Sequence, residues 1–346
     1  MNARTDTRIA VIGAGLIGRK HIDIVSKVAT LDAIVDPVPA TEALAAEHGV
    51  PWYRDIAACL ETHRPDGIIV ASPNGLHLNH ATACIEAGIP ALIEKPLSDN
   101  ASDALRIVEL SEQAGVPLLV GHHRRHSPLV KTAKAAIESG RLGRIAVVQA
   151  QFWLHKPADY YDATWRRQKG GGPVYINLIH DIDLLRHFCG EIESVQAMET
   201  SAIRGFDVED TAAVTLKFAN GALGTVSISD TVSAPWSWEL TAAENPAYPF
   251  TGMACYMLGG THGSLSVPDL RLWHHPGVRS WWQPIEDTRL EADPLDPIDE
   301  QCRHFVEVIA GRAKPLVSAR EGMRNIMVLD AIKQAALHGG TQKIGD

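Results

Sequence analysis

The chain has 346 residues, 45% hydrophobic and 21% charged, with 32 Lys and Arg against 41 Asp and Glu and a formal net charge of −9. That length suggests about two domains with ordinary cores, the acidic balance excludes an extended phosphate-tracking surface for nucleic acid, and no apolar run reaches the ~18 residues of a membrane span. Met1–Asp6 lack the apolar core of a signal peptide, and the five cysteines (Cys59, Cys84, Cys189, Cys255, Cys302) are scattered and never in a CxxC pair, so the expectation is a soluble cytoplasmic protein with free thiols.

From Arg8 to about Gly121, short apolar runs alternate with helical stretches. Arg8–Ile12, Leu31–Asp36, Gly67–Ala71, Pro90–Glu94 and Val116–Val120 are near-continuous apolar strands. Strands without alternation are buried on both faces, as in parallel sheets covered by helices. Between them, Arg19–Ser26, Ala40–His48, Ile56–Thr62, His77–Ala87 and Asp99–Ala114 read as helices. The repeat predicts a right-handed, doubly wound α/β domain.

After His126 the rhythm changes. Pro128–Ser139 reads as a helix, and Arg144–Leu154 mixes polar and apolar residues at period two. Val208–Phe218, Ala222–Asp230 and Ser237–Ala243 read as antiparallel strands, with Asn220-Gly221 as a hairpin turn. Asp299–Ala310 and Arg320–Leu337 are late helices, the second with Ile326, Leu329, Ile332 and Ala336 on one side. Glu291–Pro297 reads as a surface loop. The expected division is residues 1–125 and 126–346, the second an α+β domain with a mostly antiparallel sheet.

Gly13-Ala14-Gly15-Leu16-Ile17-Gly18 follows the first strand and opens a helix. The first glycine permits the tight turn, the second lets backbone approach a pyrophosphate, and the third lets helix and strand pack closely. The helix N-terminus then offers unpaired N–H groups to the phosphates. Asp36 ends the next strand, where a carboxylate accepts hydrogen bonds from adenosine ribose hydroxyls. It would also repel a 2′-phosphate, by up to ~4 kcal/mol for unit charges ~4 Å apart at an effective dielectric of ~20. No Arg or Lys lies in Pro37–Thr41 to neutralise one, so NAD is expected over NADP.

Ser72-Pro73-Asn74-Gly75-Leu76-His77 follows the strand ending at Val70, at the carboxyl end where a dinucleotide lies. Asn74 and His77 either contact the nicotinamide half or cap the following helix. Glu94-Lys95-Pro96 terminates another apolar strand, and the proline holds Lys95 out of the α region. Alone, the tripeptide reads as a solvated lysine paired with Glu94. Near an oxidised, cationic nicotinamide, Lys95 has a reason for a lowered pKa and for acid/base work.

Together these segments closely resemble the Gfo/Idh/MocA oxidoreductases. Further matches are Gly121-His122-His123-Arg124-Arg125, Trp165-Arg166, and Gly170-Gly171-Gly172 with His180 and Asp183 downstream. The resemblance covers nearly the whole chain. It implies an N-terminal Rossmann domain and a C-terminal domain whose open sheet commonly makes an oligomer interface, here a homodimer or homotetramer. It also implies NAD-dependent oxidation of a secondary hydroxyl of a sugar or cyclitol, or the reverse reduction. Lys95 takes the position of the usual acid/base residue and His180 that of its assistant. The implied cofactor contacts run through Gly13, Gly15, Leu16, Ile17 and Gly18, then Asp36, Ser72, Asn74 and His77, and finally Glu94 and Lys95.

One departure stands out. Many members carry an acidic residue four positions before the histidine, where this chain has Ile176. Asn177 stands three before His180 and shares a helical face with it, while Asp181 points elsewhere. Asn177 is expected to orient substrate by hydrogen bonds, since an amide is no proton acceptor at neutral pH.

Gly121–His126 has the imidazoles of a zinc site but no obvious carboxylate or thiolate ligands, and reads as substrate lining or solvated loop, with His123 and Arg124 toward the substrate. Trp165-Arg166 offers an indole face and a guanidinium to substrate, or else is a packed Trp with a surface Arg. All but Trp52 of the eight tryptophans fall after residue 150; such rings stack on sugars but more often pack cores and interfaces. Two other functions share the scaffold. An NAD-dependent glycoside hydrolase would release free sugar without net NADH, and a dinucleotide-sensing regulator would need neither Lys95 nor His180.

Overall fold

The computed structural model describes residues 4–293 and 295–345. They form two compact units, one of residues through His126 with Pro297–Ile326, the other of Ser127–Asp296 with Met327 onward. Met1–Ala3 of the expected leaderless N-terminus and Pro294 of the expected loop lie outside the described residues; Glu291–Asp293, Leu295 and Asp296 carry neither helix nor strand.

The first unit holds strands β1 (Arg8–Ile12), β2 (Thr30–Val35), β3 (Trp52–Tyr53), β4 (Gly67–Val70), β5 (Ala91–Ile93) and β6 (Leu118–Val120). They make one parallel sheet in the order β3-β2-β1-β4-β5-β6. The helices between them are α1 (Leu16–Val28), α2 (Thr41–Glu47), α3 (Ile56–Thr62), α4 (His77–Glu86) and α5 (Ala101–Ala114). Residues Ile9–Ile12 and Gly67–Val70 are buried without alternation, because each strand has helices over both faces. Helix α5 is bounded as its sequence directs. Asn100 accepts from the Asp103 N–H at 2.9 Å, and Gly115 closes it at φ +67°. The two-residue strand β3 was not anticipated.

The second unit begins with α6 (Pro128–Glu138), β7 (Ile145–Trp153), α7 (Ile179–Cys189), β8 (Ile192–Thr200), β9 (Thr211–Phe218) and β10 (Leu223–Ser229). It continues with α8 (Trp238–Thr241), β11 (Tyr256–Gly260), β12 (Gly263–Val267), β13 (Arg271–His274) and β14 (Glu286–Arg289). Helices α9 (Pro297–Ile309) and α10 (Ala319–His338) and strand β15 (Gln342–Lys343) complete the chain. The sheet order is β14-β13-β12-β11-β7-β10-β9-β8-β15, antiparallel throughout except for β7 beside β10. Strand β9 alternates buried and exposed residues, the mark of a sheet with one covered face. Gly221 (φ +87°) makes the turn between β9 and β10.

Two expectations change. Ser237–Ala243 is not a strand: Ser237 caps the short helix α8 by accepting from the Leu240 N–H at 3.4 Å, a local bond that favours the helix start over a ladder. The segment 297–326, beyond the boundary expected after residue 125, belongs with the first unit. There Ile298, Cys302, Phe305 and Val306 of α9 join Ile22, Val25 and Ile34 in one core. An amphipathic stripe shows that a helix is covered, not which core covers it. Among the described residues no helix is long and apolar enough to cross a membrane.

Candidate active site

Because the first sheet is parallel, the carboxyl ends of its strands share one edge. Along it the chain presents Gly13 after β1, Asp36 after β2, Ser72 after β4, Glu94 and Lys95 after β5, and His123 after β6. Strands β1 and β4 lie side by side where the strand order reverses, the place where open α/β sheets bind ligands.

The glycines of the first turn differ in what surrounds them. Gly13 has φ +90°, and a Cβ there would stand 2.5 Å from the Ala71 carbonyl oxygen. A Cβ on Gly18 would meet the Gly13 oxygen at 1.9 Å, so this glycine serves helix–strand packing. A Cβ on Gly15 would meet nothing within 4 Å. The backbone is open there, and Gly15, the N-cap of α1, has no side-chain cap, nor is any acidic residue in the first turn. Unspent N–H groups at an open helix N-terminus fit a pyrophosphate. Leu16 beside them is 95% exposed, whereas Gly18 is buried.

Asp36, nearly buried, spends one lone pair of each oxygen on backbone: Oδ2 accepts from the Ala14 N–H at 2.8 Å and Oδ1 from the Val38 N–H at 2.8 Å. It thereby pins the glycine turn to the end of β2. Each carboxylate oxygen keeps capacity for a ribose hydroxyl.

Ser72 Oγ pairs with His80 Nδ1 at 2.9 Å. Asn74 is exposed in a 3-10 turn, Asn74–Leu76. His77 makes no side-chain cap of α4. It is fully buried, with Nδ1 2.9 Å from the Pro96 carbonyl oxygen and Nε2 2.9 Å from that of Ser72. The ring lies between the Ser72 loop and the loop that carries Lys95, with a carbonyl oxygen at each nitrogen, so its bearing on a dinucleotide is through loop shape.

Glu94 and Lys95 sit on a buried polar cluster. Glu94 Oε1 is 2.8 Å from Nε2 of His21, a residue of α1 with no exposed surface, and Glu94 Oε2 accepts from the Lys95 N–H at 3.2 Å. Burial by itself pulls His21 down, but hydrogen bonds to Cys302 and Glu94 more than reverse this and raise it to about 10. Burial pushes Glu94 up, and His21 overcomes that to leave it below the ordinary carboxylate value. The pair is therefore His21⁺–Glu94⁻ at neutral pH. Burial, then the charge of Arg124, drives His123 down to about 3, so its ring is neutral. Lys95, next to the pair in the chain, is half-buried; Arg124, Arg125 and His126 are all buried. His122 meets Asn325 at 3.1 Å. Among the described residues no group of three or more His, Cys, Asp or Glu is arranged to hold a metal ion.

In the second unit, His180 and Asp183 are buried on α7. Asn177 lies just before, in a π-helical turn, Val174–Leu178. The shared-face argument assumed α spacing, which begins only at Ile179; π turns are rare and cluster at functional sites. Asp181 does point elsewhere, accepting from the Tyr256 hydroxyl. Within the glycine triplet, Gly171 and Gly172 serve close packing, whereas Gly170 has open space around it and a φ of +90°. A Cβ on Gly172 would lie 2.3 Å from Glu209 Oε1, which instead accepts from the Val174 N–H at 2.9 Å. Trp165 is 54% exposed, and the Arg166 guanidinium lies 4.0 Å over the Tyr160 ring and 5.4 Å from that of Trp165.

Sequence reasoning missed two groups. His21 was readable, as a histidine in the buried stripe Gly18, Ile22, Val25 of α1. Lys156 was not. It lies in a loop after β7, buried, with Nζ 2.7 Å from Asn177 Oδ1, and a loop lysine carries no sequence mark of burial.

Comparison with known proteins gives two family matches. Residues 7–122 match the oxidoreductase family, NAD-binding Rossmann fold, and residues 130–265 match the GFO/IDH/MocA C-terminal domain. The rhizopine catabolism protein MocA of Rhizobium meliloti is 28% identical over 191 residues, 54% of this chain and 58% of that protein. Inositol 2-dehydrogenase 2 of Saccharopolyspora erythraea is 31% identical over 230 residues, 64% and 66% respectively. The chain thus spans under two thirds of the length of these curated relatives. The solved structure of the WlbA dehydrogenase from Bordetella pertussis, in complex with NADH and UDP-GlcNAcA, superposes with a TM-score of 0.79 at 26% identity, covering 98% of this chain and 99% of that one.

Proposed function

Because the chain belongs to the Gfo/Idh/MocA oxidoreductase family, we propose that it oxidises a secondary hydroxyl of a sugar, cyclitol or related polyol with NAD. One observation carries the reading: an open glycine turn, a ribose-competent Asp36 and a half-buried Lys95 next to an ion pair all stand on one edge of one parallel sheet. Gly15 and the first turn of α1 would hold the pyrophosphate and Asp36 the adenosine ribose. NAD bound there supplies the hydride acceptor. Lys95 Nζ takes the hydroxyl proton as the carbinol carbon gives up its hydrogen, with His180 as its acid/base partner. Asn177 orients the polyol, and His123, held neutral, offers it a hydrogen bond rather than a charge.

The names of the relatives support a polyol, since one is an inositol dehydrogenase. The paired, exposed Val147 and Leu223 on the open sheet, with Met198, support a homodimer or homotetramer. Five buried free thiols suit the cytoplasm. General base assistance is worth about 10²–10⁴ in rate. Lys95→Met therefore lowers turnover at least a hundredfold on the best of a panel of inositols, sugars and anhydrosugars, with NADH binding retained. Near-normal turnover in that variant removes Lys95 from the reaction.

A further inference from the structure

The second unit contains a cluster of donors of which the proposed reaction uses only Asn177. Lys156, its side chain only 7% exposed, is tethered through its backbone: its N–H donates to the Asp230 carbonyl and its carbonyl accepts from Arg204, both at 2.9 Å. Its ammonium donates to Asn177 Oδ1 at 2.7 Å and stands 4.7 Å from the centre of the Tyr160 ring. Asp230 Oδ2, at 3.9 Å, is beyond hydrogen-bonding reach. That carboxylate is also spoken for, accepting from the Tyr161 hydroxyl and from Arg204 Nε. One of three ammonium donors is thus spent on protein.

Arg166 lies over the same Tyr160 ring, at 4.0 Å. Its Nη1 donates to the Tyr160 carbonyl at 2.6 Å, while its Nε is buried with no hydrogen-bond partner. Asn177 has turned its carbonyl to Lys156, which leaves its NH₂ group as the part available to a ligand. The unspent groups of Lys156, Arg166 and Asn177 are thus donors. Two cations also stand there, with the nearest carboxylate already neutralised by Arg204. Burial pushes Lys156 down to about 8; Asp230 and Glu239 oppose this, and Arg204 and Arg166 add to it by less than the two carboxylates offset. Counting Arg204, the three cations Lys156, Arg166 and Arg204 stand against the two carboxylates Asp230 and Glu239, which leaves the cluster one positive charge in excess.

The geometry points to a carboxylate subsite made by Lys156, Arg166 and the Asn177 amide, so that the substrate is a sugar acid or cyclitol acid rather than a neutral polyol. An oxyanion accepts from all three donors at once, and a guanidinium with an ammonium is a strong pairing for it. This rests on the polyol dehydrogenase reading above and narrows it.

The test is calorimetric titration of the full chain, saturated with NADH, with D-glucuronate, D-galacturonate, L-tartrate, D-glucose and D-glucose 6-phosphate. At least one of the three carboxylates is expected to bind tenfold or more tighter than glucose and than the phosphate ester. Lys156→Met and Arg166→Met each lose that tenfold while NADH affinity and Tm stay unchanged. Between pH 7 and pH 9 the wild type weakens about tenfold as the ammonium is lost, and Lys156→Arg does not. A carboxylate no tighter than glucose, or one indifferent to both substitutions, overturns the proposal, and tightest binding by glucose 6-phosphate overturns it in favour of a phosphate site. A carboxylate that binds through Lys156 but yields no NADH from NAD leaves the subsite standing and removes the dehydrogenase reading instead.

Discussion

Replacing His21 by leucine tests the charge pair next to Lys95. His21 has no exposed surface and its Nε2 is 2.8 Å from Glu94 Oε1, whose side chain is 10% exposed. Leucine fills most of the imidazole's volume, so the cavity is small and the loss is electrostatic: Glu94 keeps a buried charge without its cation. Removing one partner of a buried pair costs about 3–5 kcal/mol, and raising His21 from 6.5 to about 10 corresponds to about 5 kcal/mol of differential interaction. The second figure is shared between Cys302 and Glu94, so the pair itself is read from the first, which is a large share of a typical domain stability. The pH dependence has a definite sign. His21, raised on folding, contributes fully below pH 6.5, and the contribution is lost as pH rises through about 10. Glu94, lowered on folding, contributes above 4.5 and is lost as pH falls through its depressed value. Urea unfolding between pH 5 and 10 should thus show wild-type stability falling above pH 6.5, and the His21→Leu variant falling less. Adding Glu94→Gln to His21→Leu removes the stranded charge and recovers much of the loss. A destabilisation below about 1 kcal/mol, or parallel pH profiles for wild type and variant, would refute the ion pair.

Other substitutions separate cofactor contact from packing. Gly15→Ala should leave Tm within a degree or two yet weaken NADH binding, read by fluorescence titration, because its Cβ enters open space. Gly18→Ala should cost stability outright, since its Cβ would stand 1.9 Å from the Gly13 oxygen; equal effects of the two on Tm would contradict this division. Asp36→Ser should narrow the preference for NADH over NADPH by removing a repulsion of up to ~4 kcal/mol, and an unchanged preference places the discrimination elsewhere. Gly172→Ala should displace Glu209 from the Val174 N–H and lower stability by about 1–3 kcal/mol, the cost of leaving a buried polar group unpaired, measured by thermal unfolding.

The first unit was the more legible half because its chemistry is local. The tight turn at Gly13, the helix start at Gly15 and the carboxylate at Asp36 are each set by residues within one strand–turn–helix step, and each is where its residue type requires. The second unit was less legible. Strands β8 and β11 to β15 escaped notice because their pairing is decided across the sheet, and β14, fully exposed, has no apolar alternation to read. Ser237–Ala243 misled because Trp and Leu at short spacing fit strand and helix alike until the Ser237 cap decides between them.

By itself the amino-acid order determined which backbone turns and capping atoms exist, since φ preferences and hydrogen bonds within a few residues need no partner from afar. The tertiary structure alone decided which distant groups became neighbours. It set His21 against Glu94, placed His77 between two carbonyl groups, sent α9 to the first core, and turned Lys156 onto Asn177. Burial is a property of the packed whole. A histidine or lysine acquires its charge state and its donors' targets only when the chain around it has excluded water.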